Sequence, residues 1–82
     1  MDIREQAKRL LREEAMRKGL KPGRRMVFRQ SGKSEDGREE RRGTVEALYL
    51  HGFTCQMEGG YRETFRYNEF LGAEAEGRVS FV

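Results

Sequence analysis

The sequence predicts a mainly β domain with one N-terminal α-helix, the strands forming a small five-stranded, strongly bent antiparallel barrel. Three observations predict it. A capped helical pattern occupies the first 18 residues, clean two-residue alternation runs from Phe53 to Tyr67, and a glycine interrupts the strand-like stretch before it. At 82 residues the chain is about one small domain. We place the helix at 2–18 and the barrel at 23–82. So short a chain carries a thin core and a stability on the order of 4–9 kcal/mol.

Asp2 is a helix N-cap residue and Glu5 completes a capping box three positions later. Ile3, Ala7, Leu10 and Leu11 form an apolar stripe with Ala15 at its margin. Glu5–Arg9, Glu13–Arg17 and Glu14–Lys18 stand in the favourable i,i+4 order. Gly19 ends the helix in a left-handed conformation, Leu20 folds back on it and Pro22 prevents continuation.

A first strand spans 24–30, with Met26 and Phe28 on one face and Arg25, Val27 and Arg29 on the other. Residues 31–37 form a polar, exposed loop. A second strand covers 38–50, and Gly43 within it marks a bulge or sharp bend. From Thr44 to Leu50 both alternating sets contain apolar residues, so neither face is assigned as buried. His51-Gly52 is a short turn. Phe53, Cys55 and Met57 alternate with polar residues, Gly59-Gly60 is a hairpin signal, and Tyr61, Glu63, Phe65 and Tyr67 resume the alternation. A single helical turn follows at 68–71, capped by Asn68 and ended by Gly72, and a last strand runs from 78 to 82. This order is that of a small barrel of the SH3-like or Sm-like kind. The expected core is Phe28, Val45, Phe53, Cys55, Phe65, Tyr67 and Leu71.

Three stretches carry a family resemblance: Gly23-Arg24-Arg25-Met26-Val27-Phe28-Arg29, Gly43-Thr44-Val45-Glu46 through Phe53-Thr54-Cys55-Gln56-Met57, and Arg62-Glu63-Thr64-Phe65-Arg66-Tyr67-Asn68-Glu69-Phe70-Leu71. Over 19–82 the chain resembles the Veg family of small proteins from Gram-positive bacteria. The third stretch is similar to that family's Arg-x-Ser-Tyr-x-Tyr-x-Asp-Val-Leu segment, with Thr64, Phe65, Glu69 and Phe70 as the replacements. The resemblance implies a helix followed by an Sm-like barrel and a regulatory role without a defined biochemical activity.

Chemistry is sparse. One Cys, one His and no membrane-length apolar run speak against a disulfide framework, a four-ligand zinc site and a membrane span, and point to the cytoplasm. Cys55 reads as a buried thiol and His51 as a solvated turn residue. Glu63 reads as an edge residue near the hairpin, with a buried carboxylate or a Tyr partner as alternatives. No phosphate-binding glycine pattern occurs. We expect no catalysis, no cofactor and no small-molecule substrate.

The charge distribution is more informative. From Met1 to Gly43 there are 14 Lys/Arg against 8 Asp/Glu, and from Thr44 onwards 3 against 6. Pairing of the first two strands gathers Arg24, Arg25, Arg29, Lys33, Arg38, Arg41 and Arg42 on one hairpin, partly offset by Glu39 and Glu40. Crowded guanidinium groups suit phosphate oxygens, so these seven residues are the expected contacts to the backbone of RNA or DNA. Tyr49, Tyr61 or Tyr67 would stack bases. Two other readings remain open: an ordinary charged surface, and a self-associating or protein-binding module that uses open strand edges.

Overall fold

A computed structural model describes residues 2–29 and 40–82. Lys33, Arg38 and the expected loop at 31–37 lie outside the described residues. The chain runs α1 (Ile3–Arg17), β1 (Arg25–Arg29), β2 (Glu40–Leu48), β3 (Gly52–Met57), β4 (Tyr61–Arg66), α2 (Tyr67–Ala75) and β5 (Val79–Phe81). One five-stranded antiparallel sheet has the order β4-β3-β2-β1-β5. The sheet does not close into a barrel, as β4 and β5 are opposite edges and share no ladder.

The ends of α1 follow local chemistry. The Asp2 carboxylate accepts from the Arg4 amide at 3.2 Å, which satisfies one of the helix's free N-terminal donors. Gly19 takes φ 109° and the Leu20 amide returns to the Ala15 carbonyl at 3.1 Å. Leu20 is thereby buried.

The docked face of α1 is not the expected stripe. Ile3 is 81% exposed and Leu10 59%, whereas Ala15 is fully buried. Half-buried Lys8 and Arg12 share the Ala15 side. At 3.6 residues per turn the docked face lies about 140° around the helix from the Ile3–Ala7–Leu10 stripe. Close approach explains the choice: only a methyl group lets the helix backbone reach the core, and flanking long cations keep their heads in water. The expected i,i+4 pairs give way as well. Glu14 pairs with Arg17 at 3.0 Å, and Lys18 reaches Glu74 on α2 at 3.7 Å.

In the sheet, β1 and β2 pair with Arg25 opposite Thr44, Val27 opposite Arg42 and Phe28 opposite Arg41. The register of β2 against β3 shifts between Val45 and Ala47, so the bulge sits at Glu46 rather than at Gly43. The extra residue reverses parity, and Val45 and Leu48 both reach the core side, which is why alternation could not assign a buried face there. Gly43 has a different role. A Cβ there would meet the Met57 sulfur at 2.6 Å, so the glycine leaves room for a side chain crossing the strand.

The core contains Leu20, Met26, Val45, Phe53, Cys55, Met57, Tyr67, Phe70 and Val79. Phe28, Phe65 and Leu71, expected inside, are only partly buried against it. Phe53 is its aromatic centre, 5.5 Å from Phe65, 5.9 Å from Tyr67 and 5.7 Å from Phe70, the last edge-on. Phe70 reaches it from α2, which is longer than the expected turn. The helix begins at Tyr67 with Arg66 as an N-cap that makes no side-chain bond, and Gly72 lies inside it. Asn68 is therefore not the cap, although its Oδ1 accepts from the Glu69 amide at 3.0 Å.

Candidate polyanion-binding surface

Strand parity divides the predicted arginines. On the core-facing side, Arg24 lays its guanidinium 4.5 Å from the centre of the Phe81 ring. Arg41, next to Phe28, donates to Glu63 at 2.7 Å. Burial works against the Arg41 charge, but neighbouring Tyr61 and Glu63 outweigh it and hold the group protonated beyond its usual range. Arg24 and Arg41 are thus absorbed by a ring and a carboxylate, and neither joins the expected basic face. The reason is visible in the numbering: position 24, just before β1, shares the parity of Met26 and Phe28, and the register places Arg41 with Phe28.

Arg25, Arg29 and Arg42 emerge together on the opposite, outward side. Arg29 donates to the Ser80 hydroxyl at 3.0 Å. Glu40 lies 3.6 Å from both Arg29 and Arg42, a loose bridge in water that little offsets either cation. Arg25 has no carboxylate within ion-pair distance among the described residues. Arg25 and Arg42 line a shallow groove of about 170 Å³ with Thr44, Gln56 and Glu58. Further along the sheet Arg62 is held bidentate by Glu46 at 2.7 and 3.1 Å.

The aromatics do not join this strip. Tyr67 is 2% exposed and its hydroxyl donates to the Tyr49 carbonyl, so it cannot stack on a base. Tyr49 and Tyr61 are exposed. Tyr61 pairs with Met57 and projects on the core-facing side of the β4 edge, and Tyr49 lies at the β2–β3 turn.

Reactive groups do not converge either. Cys55 is fully buried, and burial, with the charges of Glu63 and Glu46, pushes its thiol up to about 12. His51 is exposed at the β2–β3 turn. Glu63 lies on the edge strand β4, as expected, and is half-buried as the partner of Arg41. Among the described residues no cluster of His, Cys, Asp or Glu could hold a metal ion, and no helix is long and apolar enough to cross a membrane.

A second group of cations was not anticipated. Lys8 of α1 and Arg66 at the start of α2 face a cleft between the helix and the β2–β3 turn. The signal available in the sequence was the Arg4–Lys8–Arg12 spacing, which puts three cations on one helical ridge. No family model, curated protein or solved structure matches the chain.

Proposed function

We propose that the protein is a small non-catalytic, cytoplasmic regulatory protein of the Veg-like type that grips the phosphate backbone of nucleic acid with the outward face of the β1–β2 hairpin. The observation that carries this reading is the co-projection of Arg25, Arg29 and Arg42 from one face, with Glu40 the one carboxylate paired to them among the described residues. Three guanidinium groups, spread over the five residues from Arg25 to Arg29 with Arg42 opposite Val27, match phosphates in charge. Contacts of this kind give affinity without sequence preference. The finer fold reading is a sheet bent in the manner of an open Sm-like or SH3-like barrel, supported by the β4-β3-β2-β1-β5 order.

The test is fluorescence anisotropy with labelled duplex DNA and single-stranded RNA at about 50 and 200 mM salt. Three phosphate contacts predict about a 40-fold loss of affinity on duplex and about 20-fold on a single strand. Changing Arg25, Arg29 and Arg42 to Ala removes that slope, whereas Arg24→Ala leaves it. Absence of binding at low salt, or an unchanged slope in the triple variant, refutes the reading.

A second reading is favoured by the open sheet. Among the described residues β4 and β5 each leave an edge unpaired, and two such edges from separate copies can join head to tail. It predicts a salt-insensitive assembly in light scattering, well above the 9.6 kDa chain.

A further inference from the structure

Seven ion pairs neutralise cations across the described part of the molecule, yet none involves the cations that face the α1–α2 cleft. The cleft has a volume of about 370 Å³, within the range of small-ligand sites. Lys8 lines it from α1, Arg66 and Asn68 from the start of α2, and His51 from the β2–β3 turn. Leu11 and Leu50 supply an apolar wall. Arg12 stands one turn beyond Lys8, and its charge acts on the Tyr67 hydroxyl, opposing the rise that burial imposes. The nearest acidic side chain in sequence on α2, Glu69, is not among the lining residues.

Two cations from different elements, with no carboxylate within ion-pair distance among the described residues, repel one another across this concave space unless an anion sits between them. The start of α2 adds the partial positive charge of a helix N-terminus, where Asn68 takes the Glu69 amide and the N-cap residue Arg66 makes no side-chain bond. The volume is too large for phosphate alone, and the leucines would contact an organic group.

The geometry points to a binding site for a phosphomonoester in this cleft, its phosphate between Lys8 and Arg66 and its organic part against Leu11 and Leu50. The site is separate from the outward arginines of β1 and β2 and stands without them. A phosphomonoester of this kind comes either from a free mononucleotide or from the 5′ end of a nucleic-acid strand.

The experiment is an amide NMR titration of the full chain at low salt with AMP, adenosine, and short oligonucleotides bearing a 5′-phosphate or a 5′-hydroxyl. Expected is saturable movement of the His51, Asn68 and Glu69 amides with AMP or the 5′-phosphorylated strand, and none with adenosine or the 5′-hydroxyl strand. Saturation by AMP assigns a free nucleotide; saturation by the phosphorylated strand alone assigns a strand end. Lys8→Ala and Arg66→Ala each weaken binding about tenfold or more, since each removes a charge-assisted contact. Their unchanged amide spectra away from the cleft show that the fold persists. Arg25→Ala/Arg42→Ala leaves the titration unchanged, which separates this site from the hairpin surface. The proposal is overturned by an absence of shifts up to about 10 mM AMP together with none from the phosphorylated strand, or by full binding in the Lys8→Ala and Arg66→Ala variants.

Discussion

Gly52→Ala is the substitution whose consequence can be worked most directly from the structure. Gly52 pairs with Arg66 at the end of the β3–β4 ladder. A Cβ on it would lie 2.2 Å from the Phe65 carbonyl oxygen, 3.1 Å from its carbonyl carbon and 3.2 Å from the Arg66 Cα. Carbon–oxygen contacts settle near 3.3 Å, so the overlap is about 1 Å and every atom in the way is backbone. Phe65 cannot yield alone, because its ring stacks 4.6 Å from Phe28 and 5.5 Å from Phe53. The strands must therefore part. Overpacking strain of about 1–3 kcal/mol and one lost ladder bond of about 1 kcal/mol give a cost of about 2–4 kcal/mol. For a domain of this size that lowers the melting temperature by about 10–25 °C. Gly43→Ala is the internal control. Its Cβ would meet the flexible Met57 thioether, which can swing aside for about 1 kcal/mol. Thermal unfolding followed by circular dichroism compares the two. A Gly52→Ala variant melting within about 4 °C of the parent, or above Gly43→Ala, would refute the reasoning.

Two further outcomes are expected. Cys55 has a folded-state pKa raised by burial from 9.0 to about 12. Its thiol is protonated in both states below pH 9, and above that only the unfolded chain ionises, so stability falls as pH rises from 9 towards 12. At pH 10.5 the loss is about 2 kcal/mol, seen as a lower urea midpoint than at pH 8, and Cys55→Val abolishes that part of the difference. On α1, Leu10→Ala changes stability by less than about 0.5 kcal/mol because the side chain is solvated, whereas Ala15→Leu costs about 1–3 kcal/mol by pushing the helix off the core. The reverse ranking in urea unfolding would mean that the Ile3–Leu10 stripe is the docked face.

The elements that were legible in the sequence are those set by local chemistry. Asp2 and Gly19 mark the ends of α1, and Gly59 and Gly60, at φ 104° and 87°, turn β3 into β4. Alternation placed Phe53, Cys55 and Met57 inside correctly. What stayed hidden depends on partners distant in sequence. Phe70 is core because α2 packs onto the sheet and α1, and that packing also carries the helix through Gly72, where a glycine reads as a stop. Ala15 outranks Leu10 because contact distance, not hydrophobicity, selects the face. The bulge at Glu46 inverts the phase of β2, and no single-strand pattern reports a register shift against a neighbour. For the candidate surface, proximity along the hairpin was legible and sidedness was overlooked: parity alone separates Arg24 from Arg25 and Arg41 from Arg42.

The manner in which α1 is attached has a consequence for hydrogen exchange. Its anchorage is concentrated at Ala15 and the returning Leu20, while the residues from Ile3 to Ala7 are exposed. An isolated helix of 15 residues is marginal in water, so its first turns open by fraying rather than with the sheet. Amides near the start of α1 will then exchange by local opening, and those of β3, paired on both sides, only with global unfolding. Lys8 lies on the side of Ala15 that frays, so an anion holding Lys8 against Arg66 would fasten the loose end to the body. Protection gained in the first two turns of α1, with β3 unchanged, would be its signature.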